Sequence, residues 1–297
     1  MAHRAVMSCN LIALAISAVS LATQAQRPVA GGLDGIWNYA TMTPLERPRD
    51  LAAKPVLTPA EAAEYERQTI ERQSTTNNTA GPDWWDPGTR FLVNRRTSLI
   101  VDPADGRLPP QTKEAQDRAA QARRARGSAD GPEDRALNER CLNWSVAGPP
   151  MLPGVYNNNV QIIQTRDYVV IISEMIHDAR IVPMGGQPHG TVPRWMGDSR
   201  GQWDGGTLVV DTVGFTDKTA FRGSGEHLHL VERFTRVDAE TIEYRFTAED
   251  PSSWTRPFTG MFPMKKTAGP IYEYACHEGN DRSMIGMLRG ARAQEKF

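Results

Sequence analysis

The chain has 297 residues, 39% of them hydrophobic and 23% charged, with 25 Gly and 21 Pro. That composition suits a loop-rich folded protein with a real core and excludes a disordered or coiled-coil chain. Thirty-four Lys and Arg against 35 Asp and Glu give a net charge of −1, which argues against a protein whose main work is holding nucleic acid or anionic lipid.

In chain order, Met1 to Ala25 reads as a secretory signal. Arg4 supplies the positive start, residues 11–22 an apolar stretch too short to span a bilayer, and Thr23-Gln24-Ala25 a small-residue cleavage site. Residues 26–297 are then expected to form one domain, periplasmic or secreted, without stable membrane insertion. Cys9 falls within the signal, leaving Cys141 and Cys276. In an oxidising compartment an isolated pair most economically forms one disulfide, although His277 beside Cys276 leaves a Cys/His catalytic reading open.

After Gly35-Ile36-Trp37 comes an excursion over about 44–140, rich in Pro, Arg and Ala. Thr58-Pro59-Ala60-Glu61 is a capping box with proline at the first helical position, predicting a helix to about Gln73. Thr112 starts a second helix through Arg126, which Gly127 stops, and Thr97–Asp102 between them reads as a strand. From Val155 onward strands are predicted at Val160–Thr165, Tyr168–Ile176, Arg180–Met184, Thr207–Val213, Leu228–Val237, Thr241–Ala248 and Ile271–Cys276. Short linkers such as Arg166-Asp167 and Asp204-Gly205-Gly206 imply antiparallel neighbours. The expected fold is mainly β: an antiparallel up-and-down, lipocalin-like barrel with an N-terminal helical excursion, able to enclose a small ligand. A two-sheet sandwich is the alternative.

Five histidines follow the signal: 177, 189, 227, 229 and 277. If Tyr168–Ile176 runs on as a strand, alternation puts Glu174, Asp178 and Arg180 on one face and His177 on the other. A Glu174–Arg180 or Asp178–Arg180 salt bridge is one reading of that face, and a ligand-gripping or acid–base group at a barrel mouth is another. His227-Leu228-His229, followed by Glu232, has a spacing that brings two imidazoles to one side of a strand and suits a metal ion if a third ligand joins them. His189 lies in a Gly/Pro loop and reads as solvent-exposed, and His277 as a polar cap on a strand end. Lys218 and Arg222 read as loop charges able to meet an anionic substrate. Trp84-Trp85, Tyr156 and Asn157-Asn158-Asn159 are candidates for lining a stacking pocket. GxSxG, P-loop, Rossmann, HExxH and EF-hand patterns are absent from the sequence.

Several strings, among them Arg95–Pro103, Glu174–Ile181, Gly197–Gly201, Thr207–Thr212 and Ile271–Asn280, resemble a family of exported, mostly uncharacterised bacterial proteins. The resemblance covers nearly the whole mature chain and implies a lipocalin-like barrel. It extends to His177, Asp178, Arg180, His229, Glu232, Cys276 and His277, and departs at His227 and after Asn280.

The functional expectation is a cavity that binds a small, partly apolar organic molecule. Glu174, His177, Asp178, Arg180, His229 and His277 would be its polar groups, and cofactor-free proton transfer (lyase, isomerase or hydrolase) its chemistry. That chemistry requires the six groups to converge on one cavity. The alternatives are a non-catalytic carrier, with a largely apolar cavity holding few charges, and a metalloprotein built on His229.

Overall fold

A computed structural model describes residues 32–76, 94–125, 131–144, 146–218 and 221–294. The expected signal segment and Trp84-Trp85 lie outside the described residues. Ten strands form one antiparallel sheet: β1 (Gly35–Asn38), β2 (Ile100–Asp102), β3 (Asn159–Gln164), β4 (Tyr168–Ser173), β5 (Ala179–Pro183), β6 (Asp198–Asp204), β7 (Thr207–Val213), β8 (His229–Asp238), β9 (Thr241–Glu249) and β10 (Phe258–Thr267). Their spatial order is β5-β4-β3-β1-β10-β9-β8-β7-β6, with β2 against β10. Two meanders, β3–β5 and β6–β10, are thus joined through β1, which pairs with both β3 and β10.

The excursion contains α1 (Pro59–Thr76) and α2 (Lys113–Ala125), and α3 (Asn280–Gln294) closes the described chain. Both predicted caps form. The Thr58 and Glu61 side chains each accept from the other's backbone N–H, at 3.3 and 2.9 Å, and Thr112 Oγ1 accepts from Ala115 N–H at 3.1 Å. Among the described residues no helix is long and apolar enough to cross a membrane.

The sheet does not close into a barrel. The terminal strands β5 and β6 meet at an isolated bridge between Met184 and Gly201. Pro183 ends β5, and Gly185 and Gly186 at φ +95° and +70° lead the chain away, so no hairpin continues the ladder. Nor is the interior hollow. Trp37, Phe234, Tyr244, Phe246, Phe258 and Phe262 point inward from their strands and are essentially inaccessible to solvent. The Phe and Tyr rings among them pack at 5.0–6.2 Å, as in Phe234–Tyr244 and Phe246–Phe258. The sheet wraps a filled aromatic core.

Besides β1, the strands β6 and β10 are not among those the sequence predicts. In β10, Gly260 lets the Phe246 ring lie on the backbone, where a Cβ would stand 2.4 Å from it. Pro263 lies between the stretch of β10 paired with β2 and the stretch paired with β1. The Met261 N–H two residues earlier points to that side, onto Leu99 O, so Pro263's missing donor falls where no ladder bond is needed. In β6 the sequence Asp-Ser-Arg-Gly lacks strand formers, and pairing with β7 overrides propensity. Conversely, Ile271–Cys276 is not a strand. It is held by the Cys141–Cys276 disulfide, which joins the excursion to the C-terminal segment across 135 residues as expected.

Candidate functional site

The strand alternation expected across Glu174–Arg180 is broken, and the strand expected over Tyr168–Ile176 ends at Ser173. Ile176 and His177 adopt φ of +64° and +46°, and 175–177 form a 3₁₀ turn that folds β5 back on β4. Face alternation therefore fails between Glu174 and Arg180, and neither predicted salt bridge to Arg180 forms. Arg180 instead reaches β8 and makes a two-pronged ion pair with Glu232, with Nη2 2.9 Å from Oε1 and Nη1 on Oε2. Tyr244 Oη donates to the same Oε1 at 2.7 Å and accepts from Met151 N–H at 3.1 Å. Burial works against the Arg180 charge, but Glu232 outweighs it and holds the guanidinium above its ordinary pKa. Burial and the adjacent Glu232 charge raise the Tyr244 pKa well above the usual phenol range, so its hydroxyl stays a donor.

The remaining expected groups disperse. Glu174 is buried at the end of β4, with Oε1 accepting from Tyr272 N–H at 3.3 Å and Oε2 without a partner among the described residues. His177 is exposed, its Nδ1 2.9 Å from Tyr274 O. Asp178 is half-buried, and burial raises its carboxyl pKa, with His177 opposing the shift. Asp178, Ser173 and Arg180 border a void of about 10 Å³, room for one water and no organic molecule. His277 is exposed in the turn after the disulfide.

His227 precedes β8, is exposed and faces Glu226 at 3.9 Å, so the His-x-His pair is not on one strand face. His229 opens β8 on the outer face of the sheet, whereas Glu232 points inward. The histidine and the Arg180–Glu232 pair thus lie on opposite faces, and the six groups do not share a cavity. Among the described residues no three His, Cys, Asp or Glu side chains gather as a metal-holding group.

The outer face carries a connected polar chain that sequence reasoning missed. His229 Nε2 lies 2.8 Å from Asp211 Oδ2, and Asp211 Oδ1 lies 2.8 Å from His189 Nε2. His189 Nδ1 lies 3.3 Å from Asp198 Oδ2, and Arg200 Nη1 2.9 Å from Asp198 Oδ1. The available signal was the placement of Asp198 and Asp211 on strands read as a pair. Without a prediction for β6, that pairing was invisible.

Space for a ligand lies elsewhere, in a cleft of about 370 Å³. Met42, Pro44, Leu45, Trp144, Val146 and Leu152 line it, with Thr69 of α1 and Met175 also contributing. Arg222 is its one charged lining residue, with no hydrogen-bond or ion-pair partner among the described residues. Arg222 adopts φ +53°, a left-handed conformation uncommon for a residue with a side chain. The turn is anchored by buried Phe221, by Ser224 N–H to Phe221 O at 2.9 Å, and by Ser253 Oγ to Gly223 O at 3.2 Å. Tyr156, near the cleft wall, packs edge-on to Trp144 with centroids 6.0 Å apart. Asn158 is spent on the Gly154 backbone and Asn159 on Asn38.

The chain matches no family model and no curated protein among those compared.

Proposed function

We propose that this is an exported small-molecule-binding protein whose cleft takes a partly apolar molecule bearing an anionic group. The observation that carries the reading is the cleft itself, of ligand size, walled by aliphatic and aromatic side chains and lined by one guanidinium that has no partner among the described residues. Arg222 supplies a planar donor set suited to a carboxylate, sulfonate or phosphate. Its left-handed backbone is the kind of locally costly conformation that accumulates at ligand sites. The Cys141–Cys276 disulfide supports an oxidising compartment, in keeping with a signal segment.

Binding fits this geometry better than acid–base catalysis. Among the described residues no histidine or carboxylate lines the cleft, and Glu174, His177, Asp178, Arg180, His229 and His277 are all outside its lining. The barrel-cavity version of the idea finds no support in an aromatic-filled interior, so the ligand site is assigned to the side of the sheet's wrap, under the excursion.

An aromatic sulfonate dye, 8-anilinonaphthalene-1-sulfonate, tests the reading by fluorescence titration. Wild type should bind one dye saturably and quench Trp144. Leu45→Trp, which fills the cleft, should abolish that phase, and Arg222→Gln should weaken it about tenfold, the scale of one charge-assisted hydrogen bond. Unchanged binding in both variants would refute the assignment.

A further inference from the structure

The segment that leaves β5 and returns as β6 bridges the two ends of the sheet path. Every residue from 185 to 194 is exposed except His189. Apolar burial therefore does little to hold this loop, and its attachment rests on polar contacts. Gly190 N–H donates to Asp198 Oδ2 at 2.8 Å, Arg200 Nε to Pro188 O at 3.0 Å, and Arg194 N–H to Gly214 O at 2.9 Å. Gly185 N–H donates to Gly201 O at 3.3 Å, Asn143 Nδ2 to Trp195 O at 3.4 Å, and Arg194 pairs with Asp198 at 3.3 Å. The tie that depends on a proton is His189, set between Asp198 of β6 and Asp211 of β7 at 3.3 and 2.8 Å.

An ionised carboxylate only accepts hydrogen bonds, so a ring with a carboxylate on each nitrogen makes both bonds only when both nitrogens carry hydrogen. A neutral imidazole has one N–H, and one of the two aspartates then faces a lone pair. We propose that His189 is a proton-operated latch: as imidazolium it fastens the 185–197 loop across β6 and β7, and loss of the proton loosens that loop by giving up one of the two aspartate bonds.

The surroundings favour this assignment. From β6, Asp198 and Arg200 face the ring's Nδ1 side, and Arg194 of the loop approaches Asp198 at 3.3 Å. From β7 comes Asp211. From β8, His229 takes the second Asp211 oxygen, and Glu249 of β9 lies opposite His229 in register. Burial opposes the Asp198 charge, but the Gly190 amide and Arg200 outweigh it and hold its carboxyl below the usual range, so the acceptor survives mild acid. His229 has one carboxylate partner and needs one N–H, which it keeps in either charge state.

The latched form is the proton-bound one, so its hold is strongest toward acid and weakens as pH rises. Hydrogen exchange of the whole chain, corrected for the intrinsic pH dependence of exchange, reads this out. Between pH 5.5 and 8.0, peptides covering 185–197 should lose roughly tenfold in protection while β9 peptides hold steady. His189→Gln should flatten the response, and His229→Gln should retain it. Unchanged wild-type protection, or a His189→Gln protein that keeps the drop, would overturn the proposal. The wild-type profile alone decides it if the variant does not fold. None of these readouts depends on the cleft.

Discussion

Replacing Glu232 by Gln removes the negative partner of Arg180 and leaves almost everything else in place. The side chains of Arg180 and Glu232 are 8% and 0% exposed, so the guanidinium left behind cannot recover hydration without opening the core. Stranding one member of a buried pair costs about 3–5 kcal/mol, because the remaining charge keeps its desolvation penalty and loses its counter-charge. The glutamine oxygen still accepts from Tyr244, so that hydrogen bond is weakened and not orphaned. Urea unfolding followed by tryptophan fluorescence should therefore show a loss of about 3–5 kcal/mol. Adding Arg180→Met to Glu232→Gln removes the stranded charge, and the double variant should regain at least half of the loss. A single-variant loss under about 1 kcal/mol, or a double variant as unstable as the sum of the two singles, would refute the reasoning about a buried, mutually dependent pair.

Replacing Cys141 and Cys276 by Ser opens a 135-residue closure and should lower stability by up to about 5 kcal/mol on the chain-entropy account, measurable by urea unfolding against the oxidised protein. Gly260→Ala sets a methyl 2.4 Å from the rigid Phe246 ring and should cost about 1–3 kcal/mol in the same assay. Burial raises the Asp178 carboxyl pKa, so the folded state holds its proton to higher pH than the unfolded chain. Stability should then decline as pH rises from the ordinary carboxylate range through the raised folded pKa, and Asp178→Asn should remove that part of the slope in unfolding curves collected between pH 4 and 7.

Local signals were the legible ones. Thr58 with Glu61, and Thr112 with its following turn, announce helix starts through contacts three residues apart, and Thr207–Val213 and Thr241–Ala248 show strand composition between clear turns. The lone cysteine pair was readable from compartment logic. What escaped notice depended on distant partners. The apolar run into Ile176 conceals a turn, because two side-chain-bearing residues take positive φ that glycine would have advertised. Arg180 finds Glu232 52 positions away, a pairing set by which strands curl toward each other. His189 looks like a loop residue until β6 and β7 bring Asp198 and Asp211 to its two nitrogens. The cleft draws on residues from 41 to 222, and no spacing in the chain encodes it.

The most direct test of the central claim is a crystal structure of the protein with 8-anilinonaphthalene-1-sulfonate bound. The account predicts the rings seated between Leu45 and Trp144 with the sulfonate on Arg222. Density for the dye on the outer sheet face beside His229 and Asp211, with the cleft filled by side chains, would contradict it.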